Sequence, residues 1–342
     1  MPEKKMMPHS TMQDVAARAG VSTATVSRVI NGSDYVSEAT RLKVLRACAE
    51  LDYSLNPIAQ SLRLGRTKTI AAILSFLTLP SIVERLRGVQ AAMAESDCDL
   101  LTLSVGTPEA RDAILEKYSQ RARTDGVLII SMPVNDNHVK RFLNSGVPLV
   151  LIDAQHPELN RVNVDDETGG KMAAEHLIGL GHRKIGFISS YLKNPFQFSS
   201  TLARYKGYCE ALESADIPVL RRYQREGEHG REYARDMALD LLSQPDPPTA
   251  IFASSDTKAI GVLDAAKELK IRVPEELSVI GYDNIRDAEY MNLTTIHQPL
   301  FDSGLEAGRK LLNMVHAPSS SPVEIILPLK LLKRGTTAPP GG

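Results

Sequence analysis

The sequence predicts an α/β protein in which a small three-helix domain precedes a larger domain of two doubly wound lobes. The first sixty residues read as short amphipathic helices joined by tight turns. From Thr69 onward, short β-branched runs alternate with longer helical runs, which indicates parallel sheets covered by helices on both faces. This alternation occurs in two series, and 342 residues exceed a single ordinary core, so we expect two lobes with a cleft between them.

The first two helices are predicted from their caps and from the turn between them. Thr11 precedes the first helix, with Asp14 at the capping-box position. Gly20 ends that helix and permits the positive φ of a tight turn, and Ser22 can cap the second helix. The apolar residues of the second helix are Val26, Val29 and Ile30. A helix, a turn containing glycine and a second helix form the arrangement that places its second helix in a DNA major groove.

A third helix closes this small domain. It is predicted from Ser37, as its cap, to about Leu51. We expect its apolar residues to face the core: Leu42, Leu45, Cys48 and Ala49. The side of the second helix that faces away from this core carries Thr23, Ala24 and Arg28. Arg can make a bidentate contact with guanine, and Thr and Ala can contact a thymine methyl, so these residues are predicted to contact bases.

The stretch NPIAQSLRLGRTK predicts a helix that needs a partner outside itself. Asn56 can act as N-cap, Pro57 suits the first helical position and Gly65 marks the end. The span between is shorter than the ~12 residues that an isolated helix needs. Ile58 and Leu62 are four residues apart and share one face. We therefore expect this helix to be disordered until that face meets another surface.

Charge and cysteine content narrow the class of protein. Residues 1–66 carry nine Lys and Arg against six Asp and Glu, whereas the remainder is acidic, which is a weak indication of nucleic-acid binding. Cys48, Cys98 and Cys209 show neither a metal spacing nor a disulfide framework, which favours a reducing cytoplasm. No apolar run is long enough for a signal peptide or a membrane span. We expect a cytoplasmic protein without a membrane partner.

The segment TMQDVAARAGVSTATVSRVINGSDYVSEATRLKVLRACAELDYSLNPIAQSLR resembles the DNA-binding headpiece and hinge of the lactose/galactose repressor (LacI/GalR) family of bacterial transcription regulators. The resemblance implies base contacts from Thr23, Ala24, Arg28 and Leu62. It implies phosphate contacts from Thr11, Ser22, Ser27 and Asn31. Leu62 resembles the family's leucine lever, an apolar wedge inserted between base pairs from the minor groove. In this family the hinge helix orders on operator DNA beside its copy from a second subunit.

The resemblance, which extends to periplasmic sugar-binding proteins, continues to LPLKLLKRGTT. It implies a helix-turn-helix headpiece at 11–55, a hinge helix at 56–66 and an effector-binding and dimerisation domain at 67–342. Lobe 1 is expected at about 67–165 and 296–322, and lobe 2 at about 166–294 and 323–338. The chain is expected to cross between the lobes near 164–167, 293–297 and 321–324.

The effector candidates lie where predicted strands end. Asp153, Ser255 and Asp283 each follow an apolar run, at the carboxyl-end positions where open α/β sheets bind ligands. Arg204 matches the family's effector arginine. Carboxylates and a forked guanidinium suit the hydroxyls of a sugar. Asp256 is left open between a ligand contact and a cap for the helix that follows.

Two aromatic or ring-bearing residues could stack on a sugar ring. Phe196 lies in KNPFQFSS, and His229 lies where the family often has an aromatic residue. The family's Asn-Pro-aromatic turn after the first strand is missing, because FLTLPSIVERL lacks the Asn. The contacts that lobe 1 makes are therefore left open, with Phe76, Leu79 and Ile82 available there.

Other functional classes fit the sequence less well. Asp165, Asp166 and His182 could suggest an enzyme, but adjacent carboxylates point in different directions, and His182 reads as the end of a helix. No nucleophile elbow or zinc signature is present, so we expect neither catalysis nor a cofactor. A periplasmic solute receptor would not carry the headpiece. A nucleoid-type architectural protein would not need the long α/β region.

The sequence therefore predicts a cytoplasmic, homodimeric transcription regulator that binds a palindromic operator. Among transcription regulators, a repressor is the expected type. Its partners are operator DNA and a small effector that is expected to be sugar-like. The family most often binds sugars or sugar phosphates and also uses nucleosides or purines. The sequence leaves open which molecule binds and whether it releases or promotes DNA binding. Dimers are expected because one headpiece reads only a half-site. The chain shows no leucine-rich tail of the kind that tetrameric family members carry after the last strand.

Overall fold

The computed structural model describes residues 10–30, 35–53, 65–193, 196, 198–317 and 321–341. The predicted hinge helix, including Leu62, and the predicted phosphate contact Asn31 lie outside these ranges. The chain divides into two compact units, Met1–Gly65 and Arg66–Gly342. None of the helices in the described ranges is long and apolar enough to cross a membrane.

The first unit is built from α1 (Met12–Ala19), α2 (Thr23–Ile30) and α3 (Glu38–Glu50). Both hydrogen bonds of the Thr11–Asp14 capping box are present, and Gly20 has φ of 65°, as the sequence predicted. The core consists of Val15, Ala16, Val26, Val29, Val44 and Ala47. These side chains come from all three helices, so none of the helices buries an apolar face without the other two.

The predicted buried face of α3 is wrong in its register. Leu42 and Leu45 are 47% and 49% exposed, and Ala49 is also exposed. Val44 and Ala47 are buried instead, whereas Cys48, which was predicted to face the core, is half-buried and packs against it. Two overlapping apolar stripes with helical spacing run along this helix, and spacing alone does not say which of them faces the other helices.

Lobe 1 of the second unit is a parallel six-stranded sheet with the order β11-β5-β4-β3-β1-β2. Its strands are β1 (Thr69–Ser75), β2 (Asp99–Val105), β3 (Gly126–Ile130), β4 (Leu149–Ile152), β5 (Asn160–Asn163) and β11 (Glu324–Ile326). Its helices are α4 (Pro80–Met93), α5 (Pro108–Tyr118), α6 (Asp136–Ser145) and α12 (Leu300–His316). Separate apolar clusters cover the two faces of the sheet, as expected for a doubly wound fold.

Lobe 2 repeats this plan with the strand order β12-β10-β9-β8-β6-β7. Its strands are β6 (Ile185–Ser190), β7 (Gln224–Gly227), β8 (Ala250–Ala253), β9 (Ser278–Asp283), β10 (Thr294–His297) and β12 (Lys330–Leu332), which is antiparallel to β10. Its helices are α7 (Asp166–Gly179), α8 (Ser200–Ser214), α9 (Arg231–Leu242), α10 (Asp256–Glu268) and α11 (Arg286–Tyr290), with a short 3₁₀ turn at Arg221–Tyr223.

The chain passes between the two sheets three times. The first crossing, between β5 and α7, lies where the sequence predicted it. β10 pairs with β9 and β12 in lobe 2, so the second crossing follows His297 and lies later than 293–297. β11 pairs with β5 in lobe 1, so the third crossing follows Ile326, not 321–324. The bounds predicted for the second and third crossings lie too early in the chain. The lobe to which a strand belongs depends on its pairing partner, and the sequence does not show that partner.

Candidate functional site

The outward side of α2 carries the three predicted base contacts. Thr23, Ala24 and Arg28 are exposed, whereas Val26 and Val29 on the opposite side are buried. Ala24 and Arg28 are four residues apart and therefore neighbours on the helix surface. The exposed surface of this helix presents a hydroxyl, a methyl and a guanidinium group, which are groups that can read base edges.

Two of the predicted phosphate contacts cap helices. The Thr11 hydroxyl accepts a hydrogen bond from the Asp14 backbone N–H at 3.3 Å, and the Ser22 hydroxyl accepts one from Thr25 N–H at 3.2 Å. Both residues are exposed at helix N-termini, where backbone N–H groups favour an anion such as phosphate. Ser27 is half-buried on α2.

The second candidate site is a cleft between the two lobes of the second unit, with a volume of about 390 Å³. Strand ends, α4, α8 and the loops after β6 and β7 form its wall. All six predicted effector residues line it: Asp153, Phe196, Arg204, His229, Ser255 and Asp283. The structure thus brings together residues that are up to 130 positions apart in the chain.

The polar floor of the cleft is formed by Arg85, Asp153, Arg204, Asp283 and Gln298. Arg204 lies on its lobe 2 side. Its Nε donates to Asp166 Oδ1 at 2.8 Å, and its Nη1 donates to the Ser254 carbonyl at 2.7 Å and lies 3.7 Å from Asp283 Oδ1. The guanidinium stacks 3.7 Å from the centre of the Tyr282 ring. Burial by itself lowers the pKa of Arg204, but Asp166 and the other nearby carboxylates raise it above the ordinary value, so the group stays charged.

Close packing of α7 and α8 fixes this ion pair. A Cβ on Gly207 of α8 would lie 1.9 Å from the Glu167 carbonyl oxygen of α7, so only glycine fits there. The two helix backbones can therefore approach each other, and Arg204 on α8 reaches Asp166 at the start of α7. Burial raises the pKa of Asp166, and the charge of Arg204 opposes this shift.

On the other side of the floor, sequence reasoning missed Arg85 and Gln298. Both are 3% exposed and line the cleft. Arg85 Nη2 lies 3.2 Å from Asp153 Oδ2 and donates to Gln298 Oε1 at 3.1 Å. The signal for Arg85 was available, because it lies three residues after Ile82 and four before Val89 on the buried face of α4. An arginine on an apolar face requires polar partners.

Four strand ends at the cleft have a left-handed backbone. The φ angles are 52° at Phe76, 53° at Ser131, 55° at Asp153 and 118° at Asp283. Non-glycine residues adopt such angles at a cost of about 1–3 kcal/mol each. These residues follow or end β1, β3, β4 and β9, and the turn there directs their side chains to the cleft wall.

Ring-bearing side chains from both lobes form the aromatic wall of the cleft. Phe76, from lobe 1, lies 6.3 Å from Phe196, 6.0 Å from Phe198 and 6.2 Å from the stacked ring of His229, between ring centres. Phe76 therefore supplies an aromatic contact from lobe 1 although the Asn-Pro-aromatic turn is missing. Burial lowers the pKa of His229 to about 4, with Lys258 and Arg204 acting in the same direction, so the ring is neutral at pH 7.

Ser255 and Asp256 have different surroundings. The Ser255 hydroxyl caps α10 by accepting from Lys258 N–H at 3.3 Å, and Ser255 also lines the cleft. Asp256 is fully buried and lies outside the cleft wall. Its carboxylate accepts from Ile285 N–H at 2.9 Å and from the Thr295 hydroxyl at 2.6 Å. Asp256 therefore joins α10 to β10 and to the start of α11 instead of facing a ligand.

The residues that could have suggested an enzyme have structural partners. Asp165 caps α7 by accepting from Thr168 N–H at 3.0 Å. His182 is more than the end of a helix, since its ring bonds Thr249, Ser278 and the Ala338 carbonyl and so holds the C-terminal segment on lobe 2. Within the described ranges, no three His, Cys, Asp or Glu residues are placed to hold a metal ion.

Comparison with known proteins gives matches over both units. Residues 11–56 match the model for bacterial regulatory proteins of the lacI family, and residues 174–337 match the periplasmic binding protein-like domain. The chain is 34% identical over 336 residues to the HTH-type transcriptional repressor PurR of Yersinia pestis (strain Pestoides F), which covers 96% of this chain and 97% of that protein.

Two solved structures are similar to this chain over nearly its whole length. One is the lac repressor dimer bound to operator and the anti-inducer ONPF, with 28% identity and a TM-score of 0.84. The other is the complex of the transcriptional regulator CelR with cellobiose, with 30% identity and a TM-score of 0.70. Each alignment covers 96% of this chain and 99% of the other.

Proposed function

Because this chain belongs to the LacI family of bacterial regulatory proteins, we propose that it holds a palindromic operator as a homodimer, and that a small sugar-like effector in the cleft sets its affinity for that DNA. The protein is a transcriptional repressor with a small-molecule effector. The observation that carries the proposal is the cleft itself, in which six residues predicted from the sequence line one cavity together.

The first unit supplies sequence recognition. The exposed row of Thr23, Ala24 and Arg28 reads bases in the major groove of one half-site. Leu62 wedges into the minor groove between the half-sites, beside its copy from the second subunit. The phosphate contacts that hold α2 in register are Thr11, Ser22, Ser27 and Asn31. Twofold symmetry of the dimer then requires a palindromic operator.

The cleft favours an uncharged ligand that has hydroxyls on one side and an apolar ring face on the other. Its floor alternates carboxylates and guanidinium groups, which can each bond a hydroxyl. Its aromatic wall can cover the apolar face of a sugar ring. A strongly anionic ligand would meet Asp153 and Asp283. The related CelR structure contains cellobiose, a ligand of this kind.

The polar groups of the cleft serve binding and not turnover. The candidates for acid–base chemistry are already engaged, since Arg204 pairs with Asp166 and Asp153 pairs with Arg85. We therefore expect the effector to leave the protein unchanged. The site of action is the cytoplasm, with the protein on the nucleoid when it is bound to its operator.

The test is selection of binding sites from a random duplex library, followed by measurement of affinity for the selected sequence over a salt series. We expect one palindrome to be enriched and to be bound at least ~10³-fold more tightly than scrambled DNA, with an affinity that falls as salt rises. Melting temperatures measured with cellobiose, ribose and other neutral sugars then test the effector class. Failure to enrich any sequence, with and without cell extract, would contradict the proposed function.

A further inference from the structure

Arg85 is a charged side chain in a position that an apolar residue would suit. It lies on α4 between Ile82 and Val89, which pack in the core of lobe 1. A guanidinium buried without partners costs several kcal/mol, so the partners of Arg85 show what it does. They are Asp153 and Gln298, through Nη2, whereas Nε is buried without a hydrogen bond among the described residues.

Gln298 carries this contact into lobe 2. It lies on the second crossing, between β10 and α12, and uses both ends of its amide. Oε1 accepts from Arg85 at 3.1 Å, and Nε2 donates to Asp283 Oδ1 at 2.5 Å. Because an amide oxygen only accepts and an amide nitrogen only donates, the two partners fix the orientation of Gln298.

The contacts continue in both directions as one row of polar groups. The Ser131 hydroxyl donates to Asp153 at 2.7 Å in lobe 1, and Asp283 lies 3.7 Å from Arg204 in lobe 2. In order, the row consists of Ser131, Asp153, Arg85, Gln298, Asp283, Arg204 and Asp166. Every member except Asp166 lines the cleft, and Gln298 and Asp166 lie on two of the three crossings between the lobes.

We propose that Arg85 is a positioning residue that locks the two lobes through Gln298 and Asp283, and that the effector switches the repressor by replacing these hydrogen bonds with its own. The inference rests on the proposed function, since it assigns the regulation of the same cleft. α4 and β9 hold Arg85 and Asp283 on different lobes, so a rotation of one lobe against the other separates them. An effector whose hydroxyls bond both residues removes the lock without leaving a buried charge unpaired.

The first experiment compares Arg85→Leu with Arg87→Leu. Both changes remove one positive charge from α4, but Arg87 is exposed and pairs with Glu84 on the same helix. With the palindrome from the selection experiment, we expect Arg85→Leu to change operator affinity at least tenfold and Arg87→Leu to change it less than twofold. Gln298→Met is the second variant. It leaves every charge in place and removes both hydrogen bonds of the Gln298 side-chain amide. It should change operator affinity in the same direction as Arg85→Leu.

A pH profile separates this role from a general structural one. Burial raises the pKa of Asp283 to about 6, while Arg204, Arg85 and the hydrogen bond from Gln298 oppose that rise. Two carboxylates also face Asp283, Asp153 from β4 and Asp256 from α10. Loss of the Arg85 charge should therefore raise the Asp283 midpoint, the pH at which the Asp283 carboxyl is half-protonated, by about a further half a pH unit or more. The midpoint is read from the difference in melting temperature between each protein and its Asp283→Asn counterpart, from pH 4 to 8.

The outcomes distinguish the lock from the proposed function. If the wild type selects no palindrome, the proposed function fails, and the lock fails with it as a switch of operator binding. If the wild type binds its palindrome and both Arg85→Leu and Gln298→Met behave like Arg87→Leu, the lock is wrong and the repressor assignment stands. An unchanged Asp283 midpoint in Arg85→Leu would reduce Arg85 to a packing role and overturn the proposal as well.

Discussion

At the scale of single residues, the surface of α2 allows base reading to be separated from general attraction to DNA. Arg28→Ala should weaken binding to the selected palindrome about 10- to 100-fold, because it removes the proposed bidentate base contact. Binding to scrambled DNA should change much less. The measurement is fluorescence anisotropy with both duplexes at one salt concentration.

Arg18→Ala is the matched control for Arg28→Ala. Arg18 lies on α1 in the same unit, and its exposed side chain pairs with Glu50. The change removes the same charge from a residue that is not predicted to contact DNA. Equal losses on palindrome and scrambled DNA for Arg28→Ala would show that Arg28 contributes charge alone.

A second prediction concerns Arg204, whose partners are buried carboxylates. Arg204→Met should lower the free energy of unfolding by about 3–5 kcal/mol, because it leaves Asp166 buried without its cation. Adding Asp166→Asn should restore part of that loss, since the carboxylate that needs the cation is then gone. Urea denaturation of the two single variants and the double variant measures the coupling. Strictly additive losses would contradict a direct ion pair.

The third prediction is a pH dependence of stability at His182. Burial lowers the pKa of His182, although the hydrogen bond to Ala338 opposes the shift. Between the folded and the unfolded pKa, the unfolded chain binds more protons, so the stability that His182 contributes is present above its ordinary pKa of 6.5 and is lost as pH falls below it. His182→Gln should therefore show a smaller fall in melting temperature from pH 7.5 to 5.5 than the wild type. His316→Gln, an exposed change at the end of α12, should behave like the wild type.

At the scale of helices and strands, the helix caps and tight turns could be predicted from the sequence, because they depend on neighbouring residues. The Thr11 capping box and the turn at Gly20 depend on residues close together in the chain, and both were predicted correctly. The buried face of α3 was not, because two stripes on that helix have the same period and only packing against α1 and α2 selects one.

The cleft shows the same division between local and long-range information. Asp153 and Asp283 could be found from the sequence, because a residue at the carboxyl end of a parallel strand has a known place. Arg85 and Gln298 could not be paired in this way. They are 213 positions apart, and their contact depends on where the second crossing lies. The contact of Phe76 with His229 also could not be predicted from the sequence, because the two residues lie on different lobes.

The predicted hinge helix, which lies outside the described residues, is the subject of the fourth prediction. Leu62→Ala should weaken binding to the palindrome at least tenfold, since the smaller side chain cannot repay the few kcal/mol that unstacking a base step costs. Effector affinity of the free protein should stay the same, because the described residues that line the cleft all belong to the second unit and begin at Ser75. Titration of the variant with operator and with effector measures the two effects separately. Equal operator affinity in the variant and the wild type would rule out the lever.

At the scale of the whole molecule, the sheet topology suggests a route by which one small ligand in the second unit can influence DNA binding by the first unit. Each lobe is a complete doubly wound sheet with apolar clusters on both faces, so each lobe has a hydrophobic core of its own. Three chain crossings and the polar row at the floor of the cleft connect the two lobes. A ligand that changes those few contacts changes the arrangement of the lobes without disturbing either core. In the proposed dimer, the spacing of the two lobe 1 domains would then decide whether the two predicted hinge helices can meet.

The fifth prediction follows from this coupling through thermodynamic linkage. If saturating effector changes operator affinity by some factor, bound operator must change effector affinity by the same factor, whichever direction the effect takes. Calorimetric titration of effector into the free dimer and into its operator complex gives one factor, and anisotropy with and without effector gives the other. We expect a common value of about 5- to 150-fold. Suppose that effector clearly changes operator binding but bound operator does not change effector binding. The ligand would then act on a second population, such as a monomer, and not on the cleft of the DNA-bound dimer.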